Sequence, residues 1–125
     1  MTAFDRLGGE QGIRALVDRF YDEMHALPEA AGVRAMHPED LDESRRKLWM
    51  FLVERLGGPM LYQQERGHPR LRARHLPFAI GPEQAVQWMI CMERALEATV
   101  EPGPMRDELQ QFFGQVAAHM VNRGA

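Results

Sequence analysis

Residues 67–75 read GHPRLRARH, and Leu76-Pro77-Phe78 follow them. The opening Gly-His-Pro predicts the start of a short helix, because proline is well tolerated in a first helical turn. That helix must end before Pro77, since proline disfavours helical backbone in the residue before it. His75 therefore lies in the last turn, where Leu71 shares its face. We expect the imidazole to point inward.

An inward histidine is either a satisfied core residue or a metal ligand. None of the five histidines pairs with another at the spacing of a zinc site. The single cysteine, Cys91, stands among apolar residues of a helix and is expected to be a small buried hydrophobe. A single histidine on an apolar face suits the axial ligand of a haem, whose porphyrin already supplies four nitrogens.

The same stretch carries the one basic concentration of the chain, which is Arg66, Arg70, Arg72 and Arg74. The cluster is either a solvated helix face or an anchor for a small anionic ligand, because arginine pairs well with carboxylates. Nucleic acid is a poorer alternative, since the net charge is −3 and no ladder of aromatic residues accompanies the arginines.

Four longer helices flank this segment. Apolar residues recur with helical period over about residues 10–26, and a second helix begins after Asp40 or Asp42 and ends at Gly57. Gly81-Pro82 opens a third helix, and a fourth follows Pro102-Gly103-Pro104. Residues 60–67 show no clear period, and the part around Gly32 is expected to be a loop. The pattern predicts an all-α fold.

The length of 125 residues predicts a single domain over 1–125. The longest apolar run, residues 48–53, is far shorter than the ~20 residues that span a bilayer. The N-terminus lacks the basic start and apolar stretch of a secretory signal. We therefore expect a cytoplasmic protein without membrane insertion.

Two aromatic residues with polar groups lie on predicted inner faces. Tyr21 would carry a hydroxyl inward on the first long helix, and Trp88 an indole N–H on the third. Both are either ordinary core residues or hydrogen-bond donors aimed at a ligand.

Taken together, these segments resemble the second group of the truncated (two-over-two) haemoglobins. The resemblance rests on segments spread over most of the chain, of which residues 67–75 are the most specific: Leu7-Gly8-Gly9, Arg19-Phe20-Tyr21, His37-Pro38-Glu39-Asp40, Phe51-Leu52, Leu56-Gly57-Gly58-Pro59, residues 67–78 and Trp88. It implies a shortened globin in which two antiparallel helix pairs cross over a b-type haem.

The resemblance also implies the roles of single residues. His75 would be the proximal iron ligand, with Tyr21, His37 and Trp88 as donors on the distal side. Ser44, being small, would leave a side entrance for ligands. The residues implied at the haem or its edge, including those placed to meet a propionate, are Lys47, Leu48, Phe51, Leu52, Tyr62, His68, Leu71, Arg72, Arg74 and Phe78.

The function implied is binding of oxygen and other diatomic gases at a five-coordinate iron. A haem redox enzyme, either a nitric oxide dioxygenase or a peroxidase-like protein, would use the same pocket and would need a reductase. A haem-free helical interaction module would treat Tyr21, His75 and Trp88 as core residues. The chain would be a monomer or a homodimer.

Overall fold

The protein is described by a computed structural model over residues 1–123. Its elements are α1 (Ala3–Arg6), α2 (Gly9–Ala26), one turn of 3₁₀ helix (Pro28–Ala30), α3 (Ala31–Ala35), α4 (Asp42–Arg55), α5 (Leu61–Arg66), α6 (Leu71–His75), α7 (Pro82–Thr99) and α8 (Pro104–Met120). No strand occurs within that range, and the predicted all-α class is confirmed. Within the same range, no helix is both long and apolar enough to cross a bilayer.

The long helices form two pairs. α2 packs against α4, α7 packs against α8, and contact between α2 and α7 joins the two pairs. The short helices attach to these pairs, with α5 against α4 and α6 against α8. The arrangement is the two-over-two packing expected from the sequence.

The core lies where α2 meets α7. The apolar stripe of α2 is almost fully buried, and it consists of Ile13, Leu16, Val17, Phe20, Tyr21 and Met24. On α7 the thiol of Cys91 is fully buried, and burial raises its pKa to about 11. Cys91 therefore stays protonated near neutral pH and packs as the small hydrophobe that was expected.

The predicted boundaries of the three longest helices are close to those observed, whereas the short elements differ. α1 and α3 were not expected, and α5 forms where no period was visible. α6 begins at Leu71 rather than at Pro69, because Arg70 adopts a left-handed backbone with φ +46°. His68 Nδ1 accepts the N–H of Arg70 at 3.1 Å and so stabilises this turn outside the helix.

A close approach of α1 to α2 requires a glycine at position 12. A Cβ built on Gly12 would lie 1.6 Å from the carbonyl oxygen of Leu7, which is backbone and cannot move aside cheaply. Gly114, inside α8, has no atom within 4 Å of the same hypothetical Cβ. Both glycines therefore have a helical backbone, and they differ in the space that is available for a side chain.

We expect Gly12→Ala to lower the free energy of unfolding by about 1–3 kcal/mol, because the energetic cost of the steric clash exceeds the gain in helix propensity. Gly114→Ala is the matched control and should raise the same quantity by about 0.5–1 kcal/mol. Urea unfolding of both variants measures the difference. Equal stabilisation by the two substitutions would contradict the close approach.

Candidate functional site

The side chain of His75 is held in a defined tautomer by its own helix. Its Nδ1 lies 2.6 Å from the carbonyl oxygen of Leu71, one turn earlier in α6. A carbonyl oxygen only accepts, so Nδ1 carries the proton and Nε2 keeps a lone pair. An imidazole held this way is oriented to bind a metal through Nε2, as metal-ligating histidines are by a carbonyl or carboxylate partner.

The backbone around His75 is fastened by a residue that sequence reasoning missed. Asn122 Nδ2 donates to the carbonyl oxygens of His75 at 3.1 Å and Phe78 at 2.9 Å. Its Oδ1 accepts the N–H of Ile80 at 3.0 Å. Asn122 therefore ties the end of α6 and the segment that follows it to the end of α8, over a separation of more than forty residues.

Tyr21 and His37 meet on the other side of the fold. The Tyr21 ring is 6% exposed, and its centroid lies 5.8 Å from that of His37 in an edge-on arrangement. His37 Nδ1 is 2.9 Å from the carbonyl oxygen of Val33, which leaves its Nε2 without a proton in the neutral ring. Burial lowers the pKa of His37, and the charges of Arg34 and His75 lower it further. The neutral imidazole is therefore favoured, and the two histidines lie within electrostatic reach of each other.

The segment that carries His37 is held by α7. Gln87 Oε1 accepts the N–H of Val33 at 2.8 Å. Gly32 lies close to the side chain of Gln87, because a Cβ added at Gly32 would stand 2.8 Å from the same Oε1. Arg34 donates to the carbonyl oxygens of Pro38 and Glu39. These contacts fix the turn that presents His37, and neither Gln87 nor Arg34 was singled out in the sequence.

The hydroxyl of Tyr21 and the indole N–H of Trp88 have no hydrogen-bond partner among residues 1–123. Trp88 packs edge-on against Phe20, with ring centroids 5.0 Å apart. By contrast, the indole of Trp49 donates to the carbonyl oxygen of Glu10 at 2.9 Å. Burial raises the pKa of Tyr21, so its hydroxyl keeps its proton and remains a donor. Neither donor atom is among the fully buried unpaired ones, which in residues 1–123 are represented by Arg66 Nε alone. The Tyr21 hydroxyl and the Trp88 N–H are therefore accessible donors that are left for a ligand.

Apolar side chains lie near the helix that carries His75. Phe78 is 45% exposed, and its ring centroid lies 6.5 Å from that of His75. A cleft of about 360 Å³ opens between α4, α6 and α8; Phe51 and Leu71 line it together with polar residues such as Arg55 and Gln115. Tyr62 meets Phe51 edge-on, with ring centroids 6.4 Å apart. An exposed aromatic ring next to an oriented imidazole is suited to a large flat apolar ligand.

Both arginines of α6 donate to backbone carbonyls of the protein. Arg72 Nη1 donates to the carbonyl oxygens of His119 and Val121 at the end of α8. Arg74 Nε donates to the carbonyl oxygen of Pro69 at 2.7 Å. Helix-end and loop carbonyls lack intrahelical donors, and these bonds supply them. Both side chains are exposed and use only part of their guanidinium groups in this way, so a pairing of Arg72 or Arg74 with a propionate stays a prediction.

The donor set fits a haem. Within residues 1–123, no three His, Cys, Asp or Glu side chains converge as a metal cage would require. His75 contributes one nitrogen, which suffices for a metal that brings its own four equatorial nitrogens. The apolar surroundings of His75 match the porphyrin, and the unpaired hydroxyl of Tyr21 and N–H of Trp88 match a polar ligand of the iron.

Comparison with known proteins agrees with this description. The profile of the bacterial-like globin family matches residues 2–122. The group 2 truncated hemoglobin YjbI of Bacillus subtilis is 43% identical over 115 residues, which cover 92% of this chain and 85% of that protein. A cold-adapted truncated hemoglobin from the Antarctic marine bacterium Pseudoalteromonas haloplanktis superimposes with a TM-score of 0.97 at 43% identity, covering 99% of this chain and 100% of that one. A truncated oxygen-avid haemoglobin from Bacillus subtilis superimposes with a TM-score of 0.87 at 40% identity, covering 98% and 100%.

We expect Tyr21→Phe to leave the free energy of unfolding within about 0.5 kcal/mol of the wild type, because the hydroxyl makes no hydrogen bond within the fold. Trp49→Phe should lower it by about 1 kcal/mol, since that substitution deletes the bond to Glu10. Urea unfolding without a gas ligand measures both. A large loss of stability in Tyr21→Phe would show that the hydroxyl has a partner within the protein.

Proposed function

Since the chain belongs to the bacterial-like globin family, as a group 2 truncated haemoglobin, we propose that it is a haem protein that binds oxygen and other diatomic gases. The observation that supports this most directly is the state of His75. Its Nδ1–H is committed to the Leu71 carbonyl, so that Nε2 is the ring nitrogen left to bind a metal, and the Phe78 ring lies next to the imidazole.

In this proposal His75 is the one protein ligand of a b-type haem, whose iron supplies an open position for the gas. The hydrogen bond to Leu71 places the proton of the neutral ring on Nδ1 and restricts rotation of the ring. Asn122 fixes the backbone on which the ring is carried. We propose no second protein ligand for the iron, so the haem would be five-coordinate until a gas binds.

On the opposite face Tyr21, Trp88 and His37 act as the polar groups that meet the gas. The phenol and the indole each donate a proton and are left without other partners. His37 presents Nε2, which carries no proton in the favoured neutral ring and would donate to the gas only when the ring is protonated. A hydrogen bond to a charged acceptor contributes about 1.5–3 kcal/mol, so each donor would slow release of oxygen by about ten- to a hundredfold.

The remaining contacts retain the haem and control access to it. Lys47, exposed on α4, is assigned to a propionate. Arg72, exposed on α6, is assigned to the haem edge in addition to its bonds to the end of α8. Ser44 is small and half-buried, and it leaves room for a side entrance. The side chains assigned to the haem surface or its edge are Leu48, Phe51, Leu52, Tyr62, His68, Leu71 and Phe78.

The similar haemoglobin from Bacillus subtilis is described as oxygen-avid, which supports tight rather than rapidly reversible oxygen binding here. Oxidation of nitric oxide or reduction of peroxide would use the same residues, and nothing in residues 1–123 favours that alternative over gas binding. A reductase partner, a cytoplasmic location, a single domain over 1–125 and a monomeric or dimeric state stay predictions.

We expect His75→Gly to lose stable haem binding, because the one protein bond to the iron is removed. Added imidazole should restore it by occupying the space of the missing ring. The intensity and position of the Soret band, with and without imidazole, measure both effects.

His25→Gly serves as the control for the loss of a histidine, since His25 lies on the exposed face of α2. It should bind haem as the wild type does. Full haem occupancy with an unchanged spectrum in His75→Gly would refute the assignment of the iron ligand.

We expect Tyr21→Phe to speed oxygen dissociation by about ten- to a hundredfold, because the donor hydroxyl is deleted and the ring is kept. Stopped-flow displacement of oxygen by carbon monoxide measures the rate. Trp88→Phe and the double variant show whether the two donors act on one ligand, through effects that do not add. An unchanged rate in Tyr21→Phe would assign the main donor role to Trp88 or His37.

A further inference from the structure

We propose that Arg45 is a positioning residue for Tyr21, in that its guanidinium covers the phenol ring and sets the direction of the hydroxyl. Arg45 lies on α4 and reaches across to α2, so it acts between the two helices that form one pair of the fold. The inference rests on the proposed function, because it concerns the donor assigned there to the gas ligand.

The guanidinium of Arg45 is held to α2 by three hydrogen bonds. Its Nη1 donates to the backbone carbonyl of Asp18 at 3.0 Å and to the carboxylate of the same residue at 3.2 Å. Its Nη2 donates to the carboxylate of Asp22 at 2.8 Å. Only 18% of the Arg45 side chain is exposed. These contacts use the planar fork of arginine, which lysine cannot reproduce.

Asp18 and Asp22 are one helical turn apart, and Tyr21 lies between them on α2. The guanidinium carbon of Arg45 consequently stands 5.8 Å from the centroid of the Tyr21 ring. Phe20 and His37 meet the same ring edge-on at 4.8 Å and 5.8 Å. Since the hydroxyl itself is not tethered by a hydrogen bond within residues 1–123, the packing around the ring must set its direction.

The charge of Arg45 also acts on the hydroxyl. Burial raises the pKa of Tyr21, and the positive charge of Arg45 opposes that rise. A phenol with a lower pKa is a stronger hydrogen-bond donor toward a negatively charged acceptor. Arg45 thus affects both the orientation and the donor strength of Tyr21 without touching the ligand itself.

The test is the oxygen dissociation rate of haem-loaded Arg45→Met, which keeps the apolar stem and removes the guanidinium. We expect release about two- to tenfold faster than in the wild type. Arg45→Lys keeps the positive charge and loses the planar guanidinium with its three hydrogen bonds, so the oxygen dissociation rate should increase less than in Arg45→Met. If Arg45→Met does not hold haem, the rate in Arg45→Lys decides the outcome by itself.

A double-variant cycle separates positioning from a general structural role. In a Tyr21→Phe background Arg45→Met should have no further effect, because the hydroxyl that it positions is gone. The stretching frequency of bound carbon monoxide should shift in Arg45→Met in the same direction as in Tyr21→Phe. A structural role alone would lower the free energy of unfolding and leave that frequency unchanged.

Arg14→Gln is the matched control, because Arg14 pairs with the same Asp18 at 3.2 Å and does not cover Tyr21. It should leave the rate unchanged. Equal rates in wild type, Arg45→Met and Arg45→Lys, or an Arg45→Met effect that persists without the Tyr21 hydroxyl, would overturn the inference. If Tyr21→Phe speeds release and Arg45→Met does not, the proposed function stands and only this inference fails. If Tyr21→Phe has no effect, this inference fails and the main donor role passes to Trp88 or His37, whereas the proposed function itself fails only if His75→Gly keeps its haem.

Discussion

The hydrogen bond from His75 Nδ1 to the carbonyl oxygen of Leu71 is the contact on which the rest of the site depends. It decides which ring nitrogen is free, and it does so within a helix of only five residues. A free imidazole could rotate or exchange its proton between nitrogens, and either change would remove the lone pair from the cavity. The bond makes the local backbone, rather than a distant partner, responsible for the orientation of the ligand nitrogen.

That dependence makes the support of α6 important. None of its residues is buried, so hydrophobic packing contributes little to holding it. Polar contacts to backbone carbonyls hold it instead. Asn122 binds the carbonyl at the end of α6, Arg72 binds a carbonyl at the end of α8, and Arg74 binds the carbonyl of Pro69 just before α6. Exposed charged contacts of this kind are individually weak. Together they fasten a segment whose apolar surface is left for the haem that we propose.

The sequence predicted those parts of the structure that depend on local patterns. The apolar period of α2 and the proline and glycine signals around α7 and α8 predicted the long helices, because periodicity and helix breakers act within a few residues. The start of α6 was predicted two residues too early, because the left-handed backbone of Arg70 has no signature in its residue type. The role of Asn122 could not be seen, since its partners lie more than forty positions away.

The two tryptophans show what the structure adds to the sequence. The sequence places Trp88 on a predicted inner face, and the resemblance gives it a distal role, but neither shows which indole has a partner within the protein. In the structure a carbonyl of Glu10 takes the N–H of Trp49, whereas no group in residues 1–123 takes that of Trp88. The hydroxyl of Tyr21 is likewise without a protein partner, and neither donor atom is fully buried. Both are therefore open to a ligand that accepts a hydrogen bond, and each such bond would contribute about 0.5–1.5 kcal/mol, or more if the acceptor is charged.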